Sequence, residues 1–140
     1  MKNAIAGLLI VFLFLSASQA WAQEGEAKMQ VLVPGERFDL GSGVYGTWEF
    51  TQKPQIGMVI LKIRLFDKND AQISPFEISG NSGMPSMSGA HDTGDVPFRL
   101  NKKRNYLLPV NVVMPGDWEV KLTFRKGETI VLRAAIRFDV

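Results

Sequence analysis

The chain has 140 residues, enough for one domain of ordinary size, and its 16 Lys and Arg nearly balance its 14 Asp and Glu. That balance gives no electrostatic argument for a nucleic-acid partner, and a hydrophobic share of 46% excludes wholesale disorder. There is no cysteine and a single histidine, so disulfides, thiolate nucleophiles, zinc fingers, iron–sulfur ligation and any two-imidazole site within one chain are all excluded.

Met1-Lys2-Asn3 is a short basic start, followed by an apolar run from Ala4 to Leu15 broken only by Gly7. Ser16 to Ala22 then turns small and polar and ends in Ala20-Trp21-Ala22, an A-x-A cleavage pattern. The apolar run is too short to span a bilayer, which takes about twenty residues as a helix. The segment therefore predicts a signal peptide over 1–22, cut after Ala22, and a periplasmic or secreted mature chain with no integral membrane segment. Residues 23–30 are polar and lack a period, and are expected to be a flexible lead-in to one domain over 31–140.

From Val31 onward the hydrophobic signal has period two. Val44 to Phe50 is expected as a strand, and Met58 to Phe66 as a stronger one carrying Lys62 and Arg64 on its polar face. Asp67-Lys68-Asn69-Asp70 reads as a turn, Phe76 to Ser79 as a short strand and Gly80 to Gly83 as another turn. Val96 to Leu100 and Tyr106 to Val113 are expected as strands near sheet edges, because Pro97 and Pro109 cannot donate to a ladder. Lys102-Lys103-Arg104 between them reads as a solvated hairpin tip. Trp118, Val120, Leu122 and Phe124 alternate with polar residues, as do Ile130, Leu132, Ala134, Ile136 and Phe138 with Arg133 and Arg137 among their neighbours. Lys126-Gly127-Glu128 joins these two runs into a C-terminal hairpin. No long mature stretch has a helical period. The expected fold is an all-β, immunoglobulin-like antiparallel β-sandwich of about seven strands. Trp48, Ile60, Val120, Leu122, Ile130, Leu132 and Ile136 should be buried, and Lys121, Arg125, Arg133 and Arg137 exposed.

One loop has a composition that could carry chemistry. Gly80 to Asp92 is rich in Gly, Ser and Pro, yet holds Met84, Met87 and the single histidine, His91. Thioether and imidazole together favour Cu(I), so Met84, Met87 and His91 form a candidate copper site. The alternative is that both methionines pack as core filler while His91 caps a turn. No G-x-S-x-G elbow, H-E-x-x-H or G-x-x-x-x-G-K occurs, and no serine has a nucleophile context, so the chain is not expected to be an enzyme.

Met58 to Phe124, about half the chain, resembles the YtkA-like domain, a small secreted β-sandwich family related to FixH-type proteins. The residues that carry the resemblance are Leu65-Phe66-Asp67-Lys68-Asn69, Met84-Pro85-Ser86-Met87 followed by His91, Asn105-Tyr106-Leu107-Leu108-Pro109-Val110, and Val113-Met114-Pro115-Gly116-Asp117-Trp118. The family pattern has Gly where this chain has Asn105, and often places the His nearer the second Met. The resemblance implies an extracytoplasmic domain associated with copper handling or oxidase assembly, with Met84, Met87 and His91 as its ligands. Two functions thus stand side by side: a Cu(I)-binding accessory domain, and a metal-free interaction module binding a protein partner in an envelope complex.

Overall fold

The computed structural model describes residues 29–140, so the expected signal peptide and most of the lead-in lie outside the described residues. Gln30, expected in the lead-in, already belongs to β1 (Gln30–Val31). There follow β2 (Phe38–Gly41), β3 (Val44–Phe50), β4 (Gly57–Phe66), β5 (Gln72–Ile73) and β6 (Glu77–Gly83). After a single 3-10 turn come β7 (Val96–Pro97), β8 (Arg99–Leu100), β9 (Tyr106–Val112), β10 (Asp117–Lys126) and β11 (Thr129–Asp139). The chain is an all-β sandwich of two largely antiparallel sheets, as the period-two runs predict, with more strands than the seven expected. The extra strands β1, β2 and β5 have two to four residues each, too few for an alternating pattern to declare itself.

One sheet runs β1-β11-β10-β6-β7; the other runs β2-β3-β4-β9-β8, with β5 on the end of β4. Phe38 of β2 packs on Phe124 of β10 at 5.6 Å, and Phe50 of β3 on Phe138 of β11 at 4.8 Å, closing the two layers over one core. Every second residue of β4 (Val59, Leu61, Ile63, Leu65) points inward to meet Trp118, Val120, Leu122 and Phe124 of β10. The Tyr106 hydroxyl donates to the Phe76 carbonyl at 2.7 Å, tying β9 to the segment entering β6, and burial raises its pKa.

Three differences from expectation have local causes. Gly80 to Gly83 continues β6 instead of turning, because Gly80 lies against the facing sheet: a Cβ there would come within 2.6 Å of Leu108 Cδ2. The segment Val96 to Leu100 is two strands in different sheets, β7 on β6 and β8 on β9, and crosses between them at Phe98, whose N–H donates to Ile78 O. Of the expected core, Trp48, Val120, Leu122 and Ile136 are buried, but Ile60 and Leu132 are only half-buried and Ile130 is exposed. Ile60 shares the parity of Lys62 and Arg64 and so lies on the outer face. A register shift between Phe124 and Arg125 places Val131 as an extra residue in β11, and Ile130 leaves the core face beyond it. Lys121, Arg125, Arg133 and Arg137 are exposed as expected.

Candidate functional site at one end of the sandwich

The strand directions gather three connections at one end. β9 ends and β4 begins in the pair Val112/Gly57, while β11 ends and β10 begins in the pair Asp139/Asp117. β6 finishes beside them in the pair Gly83/Glu119. The connections 51–56, 84–95 and 113–116 therefore lie together, whereas the β1–β2 segment crosses between the sheets alongside β3, where Gly35 N–H donates to Trp48 O.

The Met/His connection is anchored at its start. Pro85 to Met87 forms the 3-10 turn, with Met87 N–H donating to Met84 O at 3.0 Å and Ala90 N–H to Met87 O at 2.9 Å. Ser86 donates twice to the Asp117 carboxylate, from its backbone N–H at 3.1 Å and from its hydroxyl. That hydroxyl, more than any other group, holds the Asp117 carboxyl below the ordinary aspartate range. At the far end of the connection, Thr93 returns to β6: its N–H donates to Ser82 O, and its Oγ1 accepts from Ser82 N–H, both at 3.0 Å.

The three expected ligands take different positions. Met84 is 4% exposed and its side chain joins the core, its Cε lying where a Cβ on Gly116 would come within 2.8 Å. Gly116 has φ of 139°, a conformation that L side chains rarely adopt, so glycine here provides both the bend and the room for Met84. Met87 is 41% exposed. His91 is also exposed and sits at φ 66°, in the left-handed region where His is among the better tolerated residues. The loop thus holds Met87 and His91 in solvent and sends Met84 inward.

A small cleft of about 60 Å³ lies between this loop and the outer face of β10, bordered by Met84, Ser88, Asp92, Glu119 and Lys121. It has room for one or two waters. Glu119 is buried and accepts from Arg137 Nε at 2.7 Å, so this polar spot is internally neutralised. Among the described residues, no three His, Cys, Asp or Glu side chains converge in a way that could hold a metal ion.

The exposed apolar side chains of this end leave little mark in the sequence. Ile56 is 58% exposed and Val113 47% exposed; they flank the register pair Gly57/Val112, and the exposed Met58 follows on the outer face of β4. With Met87 in the Met/His loop, each of the three connections at this end carries an exposed apolar residue. A signal for Met58 was present in its parity with Lys62 and Arg64. Ile56 and Val113 had none, because each is an isolated apolar residue beside a turn.

No helix among the described residues is long and apolar enough to cross a membrane. Comparisons with known protein families, with curated proteins and with solved structures return no match for this chain.

Proposed function

We propose that the chain is a metal-free accessory module of the cell envelope that binds another protein through this end of the sandwich. The observation that supports it is the exposure of Ile56, Met87 and Val113, one on each of three connections at one end, while the core beneath is closed. Clustered exposed apolar side chains are the usual mark of a contact surface. Residues 1–22 supply the argument for the envelope, since their pattern is that of an export signal. The reading is tested by placing a photo-crosslinking amino acid at Ile56 or at Val113 in the chain as secreted by its host. Control positions are Ser42 and Lys102 at the opposite end. A discrete adduct from Ile56 and Val113 but not from the controls is expected; equal yields from both ends, or none from either, overturn it.

The second reading, a Cu(I) site at Met84, Met87 and His91 as the YtkA-like resemblance implies, draws support from Met87 and His91 being exposed on one loop. It requires Met84 to leave the core. Competition for Cu(I) against a chelator separates the two, with M87A/H91A as the variant that spares the core. Equal, weak competition by both proteins fits the metal-free module. Strong competition by the wild type alone, fading as pH falls through about 6.5 where imidazole protonates, establishes copper instead.

A further inference from the structure

Charge is unevenly divided along the long axis of the sandwich. The end described above carries Asp92, Asp117 and Asp139 against Lys53, while Arg137 nearby is already paired with Glu119. The opposite end holds the β4–β5 and β8–β9 connections and the β10–β11 turn. It carries Lys68, Lys102, Lys103, Arg104 and Lys126 against Asp67, Asp70 and Glu128. The exposed apolar residues Ile56, Met87 and Val113 thus lie on connections at the acidic end of a molecule whose overall charge is close to neutral.

Resting on the module reading, we infer that this end docks on a protein surface that is apolar at its centre and cationic at its rim. Complementary potentials select the sign of the partner, because like charges brought together across an interface cost several kcal/mol. The same carboxylates repel a membrane of anionic lipids. A second copy could match them only with its own Lys- and Arg-bearing end. That contact is head-to-tail, and repeated it leads to open filaments unless the rotation closes a ring. The apolar centre supplies the affinity: Ile56 and Val113 are rigid branched side chains, and Met87 is unbranched and adapts to the surface it meets. Burying the three apolar side chains at about 25 cal/mol per Å² favours the bound state, while the rim fixes orientation and on-rate.

The test uses two amphipathic helical peptides of equal length, one of Leu and Lys and one of Leu and Glu, titrated into the secreted chain. The Leu–Lys peptide is expected to bind at least about tenfold more tightly, and D92K/D139K to remove that preference. Raising salt from about 0.15 to 1 M shortens the screening length from about 8 to 3 Å and should erode it likewise. I56S/V113S should abolish binding of the Leu–Lys peptide. Equal binding of the two peptides overturns the inference, as does a Leu–Lys affinity that I56S/V113S leaves intact. Preferential binding to phosphatidylglycerol vesicles overturns it in favour of a lipid surface, and concentration-dependent self-association lost in D92K/D139K in favour of a second copy. If the peptides are not discriminated while Ile56 still gives its adduct in the envelope, the cationic partner is wrong and the module reading stands. If the adduct is also absent, both fall.

Discussion

Trp118 donates its indole Nε1–H to the Met114 carbonyl at 3.1 Å, whereas the Nε1–H of the equally buried Trp48 has no partner among the described residues. Both side chains fill the core, and both were legible as core residues because each sits in a strand among apolar neighbours. The difference between them was not legible, since it depends on where a loop carbonyl 4 residues away happens to fall. A buried donor without an acceptor costs about 1–3 kcal/mol, so Trp48 contributes less than its size suggests. Trp48→Phe removes that orphan along with some volume, while Trp118→Phe removes a made bond and strands the Met114 carbonyl. Urea unfolding should therefore show Trp118→Phe to be more destabilising than Trp48→Phe by about 1 kcal/mol or more. Equal costs would mean that Trp48 has found a partner in solution.

The loop after β6 owes its shape to Ser86 and Asp117, a contact between residues 31 apart in sequence. Its residues announced a loop through Gly, Ser and Pro, and announced soft ligands through Met and His. The tether that points Met87 outward while Met84 enters the core could not be read, because neither residue's local context names the other. The tether also makes the loop sensitive to acid. Because the folded carboxyl of Asp117 titrates below its unfolded value of about 3.9, its contribution is fully present above that value. It is lost as pH falls through the lower folded pKa. In Ser86→Ala the Asp117 carboxyl should titrate at a higher pH, close to the ordinary aspartate value. Amide protection factors over 84–92 should fall already at neutral pH, whereas in the wild type they should fall only once acid protonates Asp117. An unmoved Asp117 titration measured by NMR would show that Ser86 does not hold it.

Across the whole molecule, stability and the proposed docking surface rest on different residues. Leu122 is buried between the sheets, and Leu122→Ala should cost about 2–5 kcal/mol in denaturant unfolding. Ile56 and Val113 lie outside that core, so I56S/V113S should change stability by no more than about 0.5 kcal/mol while removing the adduct and the peptide binding. A loss of several kcal/mol in the double variant would place these side chains in the fold and not on a contact surface. The fold class, the long strands β3, β4, β9, β10 and β11 and the C-terminal hairpin were all determined by the sequence alone, because a strand with one wet face writes its period into consecutive residues. The short strands β1, β2 and β5 and the split of Val96 to Leu100 between two sheets needed the tertiary structure, as did the extra residue that turns Ile130 outward. Tertiary structure alone also buried Met84 and brought Ile56, Met87 and Val113 to the acidic end. Pairing between distant strands decides which loops meet, and that is a property of no local stretch of chain.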